Sequence, residues 1–230
     1  MVNHASLIVG LVCLASPAVA QEPATPSSVV VTKGQAVIMA TPDRAFVTIA
    51  AESRSRSSAD AQRLNADAMT AVLQKLTQAG IAKEALRTIG YDLQPEFEYA
   101  NGRQSLRDYV ARNTIEVRVD QIDRVGPVLD AAGSGGATSI GGIRFDVRAR
   151  EAIERDALRQ AVADARARAD AAAAGAGRAI DRVVRVEEEA ISEIVRPMMR
   201  MAAADQAAST PISPATLEIR SRVTLTASLK

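Results

Sequence analysis

Beyond residue 20 this chain has no cysteine and no histidine, because its single copies are Cys13 and His4, and it has no tryptophan anywhere. If residues 1–20 are removed, disulfides, Cys/His zinc sites, a cysteine nucleophile and any Ser-His-Asp triad are excluded. Only four lysines occur, Lys33, Lys75, Lys83 and Lys230, so carboxylates, hydroxyls and arginine are left for chemistry. The charge total of +1 and only six Phe and Tyr together argue against nucleic acid, which needs a concentrated basic face and stacking aromatics.

What is present begins with an export pattern. Met1 to Ala20 carries no charged side chain other than His4 and runs through LIVGLVCLA to Ser16-Pro17 and Ala18-Val19-Ala20. This reads as a secretory signal peptide cleaved before Gln21. The apolar run is shorter than the ~20 residues that span a bilayer, and Leu11-Val12 ahead of Cys13 lacks the small residue that lipid attachment requires. The mature chain is expected to hold no transmembrane segment.

The remaining ~210 residues are enough for a substantial core. Gln21 to Ser28 reads as a flexible leader. Val29 to Ala40 reads as an edge strand interrupted at Gly34, and Ala45 to Ala51 as a strand with Val47, Ile49 and Ala51 on one face. Ser57 or Ser58 caps a helix whose stripe is Ala61, Leu64, Ala68, Val72, Leu76 and Ala79, stopped by Gly80.

Ile89, Tyr91, Leu93, Phe97 and Tyr99 alternate along one strand, and Tyr109, Ala111, Ile115, Val117 and Val119 along the next. Asn101-Gly102 suits a two-residue hairpin turn, but that register puts the two apolar faces on opposite sides, so the connection must be longer or contain a bulge. Aromatics at this spacing are read as core rather than as a ligand platform. Asp120 is expected to cap a short helix that Pro127 divides near Gly126.

Gly136 and Gly141 imitate the spacing of a phosphate loop, yet the lysine position is Gly142 and the following residues are strand-like. A phosphate cradle opens a helix, so these glycines are read as a helix stop and the start of a strand. Arg150 to Ala176 is a long helix with an alanine-rich face through Ile153, Ala157, Leu158, Ala161, Val162, Ala165, Ala169 and Ala172. Ala179 to Val186 pairs with a last strand carrying Leu217, Ile219, Val223, Leu225, Ala227 and Leu229. Glu187-Glu188-Glu189 reads as a solvated strand end, and residues 195–214 as a mobile loop.

Several passages resemble one family: Pro42-Asp43-Arg44-Ala45, Gly80-Ile81 through Thr88-Ile89-Gly90-Tyr91, Tyr109 to Val117, Val128 to Ala132, Ile140-Gly141-Gly142-Ile143 and Ala161 to Ala169. Together they resemble the SIMPL-domain family of bacterial periplasmic proteins and envelope antigens, across nearly all of Val29 to Lys230. Ala36 and Pro127 depart from the family pattern. The resemblance implies an exported protein associated with the envelope or oxidative stress in bacteria, and with kinase-adaptor signalling in animals. It carries over no catalytic residue.

The expectation is therefore an α+β fold, antiparallel-rich sheets covered by two long helices and one short one, in a soluble, periplasmic, non-enzymatic protein. No catalytic, cofactor or metal residue is assigned. A homo-oligomer is expected through the alanine face, the edge Val29 to Ala40, or both, with envelope proteins as further partners. Two rivals remain. One is a hydrolase using paired carboxylates, Asp92 with Glu96 or Glu98; the other is a metal or small-molecule carrier using Met198, Met199 and Met201.

Overall fold

A computed structural model describes residues 28–190, 212 and 214–230; the expected signal peptide, most of the expected leader and most of the expected loop 195–214, with its three methionines, lie outside them. The chain is α+β, and the described residues form two antiparallel sheets and three α-helices. The first sheet is ordered β1 (Val29–Ala40), β7 (Leu217–Leu229), β6 (Ile180–Glu188), and α3 (Arg150–Gly175) lies across it. The second is ordered β3 (Leu86–Ala100), β4 (Arg103–Val119), β2 (Arg44–Ser55), β5 (Ser139–Asp146), with α1 (Ser58–Gln78) over β2 and β4 and α2 (Val125–Ser134) against α1.

The second sheet holds the larger core. Ala45, Val47, Ile49 and Ala51 alternate inward from β2 and meet Met69, Val72 and Leu76 of α1 and Val125, Val128 and Leu129 of α2. The buried face of α1 runs through Ala61, Asn65, Met69, Val72 and Leu76, so the expected stripe is rotated: Leu64 is exposed, and a polar residue sits inside. Asn65 is tolerated because its amide donates to the carbonyls of Ala51 (2.7 Å) and Ala111 (3.0 Å). Ser57 is the N-cap of α1 and accepts from the Asp60 N–H; at the other end Gly80, at φ 83°, turns the chain out.

The first sheet is built on small residues. Ala157, Ala161, Ala165, Ala169 and Ala173 form a buried line of α3 at four-residue spacing, and the middle three pack with Val223, Leu225 and Ala227 of β7. The line ends on Ala173, not the expected Ala172. Gly34 does not interrupt β1, which pairs with β7 continuously from Val29 to Ala40. A Cβ at Gly34 would stand 2.1 Å from the Ala161 oxygen and 2.3 Å from the Ala165 nitrogen, so glycine is where helix and strand backbones meet. Thr32 donates its hydroxyl to the Ala165 carbonyl at 2.7 Å. Ala40, Val147, Ala157 and Ile219 form a third small cluster where β1 and β7 meet the start of α3 and the end of β5.

Two local expectations are corrected. Asp120 caps no helix: both its oxygens are taken by arginines, Arg44 at 2.6 Å and Arg118 at 3.2 Å, and a single 3₁₀ turn, Ile122–Arg124, leads into α2. Pro127 then sits in the first turn of α2, so the division falls two residues before Gly126. The glycines end α2 as expected, but Gly141 and Gly142 lie inside β5, where the register with β2 slips between Val47 and Ile49.

Candidate functional site

The feature that the packing of the core leaves uncovered is the β3–β4 hairpin. β2 stops pairing with β4 at Ser55 opposite Tyr109, whereas β3 and β4 continue together to Ala100 opposite Arg103. Beyond Tyr109 the sheet is therefore a two-stranded ribbon, about 16 Å long at ~3.3 Å per residue. Its tip is Asn101-Gly102, with φ of 51° and 72°, the double left-handed geometry of a type I′ turn.

This turn and the apolar alternation conflict in parity, and the strands resolve the conflict with a bulge. Glu96 faces Asp108 and Phe97 faces Leu106, so Arg107 is the extra residue. The slip brings Leu106 to the same face as Phe97. A second irregularity, at Ile89, keeps Tyr91, opposite Asn113, in phase with Thr88, opposite Ile115. Tyr91, Leu93, Pro95, Phe97 and Tyr99 thus share the face that, nearer the core, packs under α1.

Among the described residues nothing covers that face out on the ribbon. Phe97 is 46% exposed, Leu106 46% and Tyr99 76%, and Tyr91, further in opposite Asn113, is 50% exposed. The aromatics expected in the core are on the surface, because strands of 15 and 17 residues outrun the helix meant to cover them. At the other end of β3 the same face opens into a groove of about 580 Å³ between α1 and β3, walled by Leu73, Leu86 and Ile115, with Thr70, Thr77 and Lys83 at its rim.

The opposite face of β3 carries the carboxylates Asp92, Glu96 and Glu98. Asp92 accepts from the Gln94 amide at 2.5 Å and Glu98 from the Ser105 hydroxyl at 3.4 Å. Glu96 lies 3.5 Å from Arg54, which also binds Glu52 at 2.9 Å, and Glu52 in turn holds Arg112 at 2.6 Å. Hydrogen bonds from Arg112 and then Arg54 hold the Glu52 carboxyl below its usual range despite partial burial. The arrangement is an ion-pair chain that ties β2, β3 and β4 together at the root of the ribbon. None of the three hydrolase candidates lines either of the two described cavities.

Among the described residues no group of three or more His, Cys, Asp or Glu side chains is placed to hold a metal ion, and no helix is long and apolar enough to cross a membrane. Glu187 and Glu188 end β6 in solvent. Glu189 instead has fixed partners, Lys33 at 2.8 Å and the Thr224 hydroxyl at 2.9 Å, and these hold its carboxyl below the usual range.

Both elements expected at an oligomer contact also make contacts within the chain. The alanine line of α3 is covered by its own sheet. The free edge of β1 is interrupted where the Gln35 N–H donates to Asp164 of α3 at 3.0 Å.

Comparison with known proteins agrees with the sequence resemblance. The family model described as SIMPL, protein of unknown function (DUF541), matches residues 30–227. The "26 kDa periplasmic immunogenic protein" of Brucella abortus (strain S19) is 32% identical over 193 residues, covering 80% of this chain and 75% of that protein. "Uncharacterized protein YggE" of Escherichia coli (strain K12) is 28% identical over 178 residues, covering 77% and 72%. The protein of that name from Edwardsiella ictaluri is 28% identical over 191 residues, covering 82% and 80%. From the strand that begins the first sheet to the one that completes it, the chain belongs to the SIMPL family.

Proposed function

We propose that this chain is an exported, non-enzymatic factor of the bacterial envelope, with an assembly or stress-related role, that works as a homo-oligomer. The observation that carries the reading is the ribbon of residues 96–108, whose apolar face no described residue covers. A two-stranded hairpin alone in water is marginal, and an uncovered aromatic face on one is a place for a partner.

A second copy of the chain is the occupant that the chemistry favours. β3 is the outer strand of its sheet and offers unpaired backbone beside the aromatic face, so two copies can satisfy edge and face at once in a self-complementary contact. The net charge of +1 opposes such an approach little. The periplasmic placement draws on the name of the Brucella relative and on the secretory pattern of Met1 to Ala20.

Multi-angle light scattering of the chain starting at Gln21 tests the assembly. An oligomer is expected across micromolar concentrations, reduced to monomer by Phe97→Ser with Tyr99→Ser, two exposed positions whose loss leaves the core intact. A monomeric parent chain removes the proposal. Mass spectrometry of the periplasmic form should find Gln21 as the first residue; retention of Met1 removes the export reading.

A further inference from the structure

A second cavity, of about 220 Å³, lies beneath the C-terminal end of α1, and three arginines line it: Arg118, Arg124 and Arg148. Its other walls include Ile81 and Val119, and its only carboxylate is Asp120. The charges there do not balance. Asp120 is committed to Arg44 through one oxygen and to Arg118 through the other. Arg148 reaches Asp43, but only at 3.7 Å, and gives one N–H to the Asp120 carbonyl. Arg124 makes no ion pair among the described residues; one of its Nη groups donates to the Ala79 carbonyl.

Donors are therefore left over. Among the described residues, both Nη groups of Arg118, and Nε and Nη1 of Arg124, make no hydrogen bond. Burial pushes the Asp120 carboxyl up, but the hydrogen bond and charge of Arg44, with Arg118, outweigh this and leave it below the usual range. The carboxylate remains ionised at neutral pH, and four guanidiniums still face two carboxylates, Asp43 and Asp120.

We infer that this cavity binds a small oxyanion of the phosphate class. A tetrahedral phosphoryl group offers an acceptor oxygen to each of three guanidinium forks, whereas a carboxylate offers two oxygens in one plane. The apolar walls at Ile81 and Val119 lower the local dielectric and strengthen the attraction. The volume suits a phosphate group with its water and is below the usual range for drug-sized or nucleotide ligands. The phosphoryl group has two possible sources, free phosphate or an anionic lipid headgroup.

Calorimetric titration of the full chain with sodium phosphate at low ionic strength tests the site, with sodium acetate as the competing anion. Saturable phosphate binding, tighter than acetate, is expected. Arg148→Gln, an exposed position, and Arg118→Gln should each weaken it roughly tenfold, the loss that removing one charge-assisted hydrogen bond produces. Arg166→Gln, on α3 and outside the cavity, should leave it unchanged. Sedimentation with phosphatidylglycerol vesicles, against phosphatidylcholine, separates the sources: retention that Arg148→Gln abolishes assigns a lipid headgroup, and its absence beside phosphate binding assigns the free ion. No saturable phosphate heat, acetate binding as tight as phosphate, or equal weakening by Arg166→Gln overturns the inference. Circular dichroism of each variant confirms that the fold is kept.

Discussion

The two sheets solve the same problem, attaching a long helix to a pleated surface, with opposite materials. α1 meets its sheet through Met69, Val72 and Leu76, side chains that fill space and remove much apolar area from water. α3 meets its sheet through five alanines and one strand glycine, so contact is made by approach rather than by bulk. A large-residue interface is sensitive to loss of volume. A small-residue interface is sensitive to its gain.

The sharpest way to break the comparison is to exchange the two insults. Leu76→Ala deletes a fully buried side chain from the larger core, and about 2–5 kcal/mol of stability should be lost, through the transfer of its methyl groups and the cavity left behind. Urea unfolding measures it. A cost under about 1 kcal/mol would mean that α1 collapses into the gap and that its interface is as adaptable as a surface.

The reverse insult falls on Gly34. Adding one methyl group there meets backbone, not a movable side chain, so α3 must shift away from β1; about 1–3 kcal/mol is expected from Gly34→Ala. Gly90→Ala is the matched control: no atom lies within 4 Å of its Cβ position, and little change is expected. Ala165→Leu, in the same contact, should behave like Gly34→Ala. If both left the unfolding midpoint unchanged, the helix would not be seated on backbone.

What the sequence made legible follows the same division. The ends of α1, the strand faces and the pairing of β6 with β7 were readable because caps and alternation are local properties. The conflict between the Asn101-Gly102 turn and the alternation was also readable, and so was the need for a bulge. Its place at Arg107 was not, because an extra residue relieves the parity equally well anywhere between turn and core. Gly34 was misread as a break, since a lone strand glycine signals either a bulge or a close approach, and only the packed helix tells them apart. Asn65 was passed over because its burial rests on two carbonyls that tertiary structure alone supplies. The aromatics of β3 alternate as core strands do; what exposes them is the length of the ribbon relative to α1. The arginine cavity was invisible because Arg118, Arg124 and Arg148 are scattered in sequence and meet only through the turns after β4 and β5.

The smallest expected effect concerns the root of the ribbon, where polar rather than apolar contacts join the covered part of the second sheet to the uncovered part. Glu52 accepts from Arg112 and Arg54, and Arg54 continues the chain to Glu96. Because the folded-state carboxyl titrates below its usual 4.5, the protein gains stability from it that is fully present above that value and is lost as pH falls through the lowered one. Glu52→Gln keeps the shape and removes the charge. At pH ~7 it should cost roughly 0.5–1 kcal/mol, the range for ion pairs that water and salt still reach. As the pH is taken below the usual 4.5 and down through the lowered folded-state value, the parent glutamate loses this contribution, so the two unfolding midpoints should converge. A difference that stayed constant over that range would show that the chain from Arg112 to Glu96 holds the ribbon by shape, and that its charges contribute nothing.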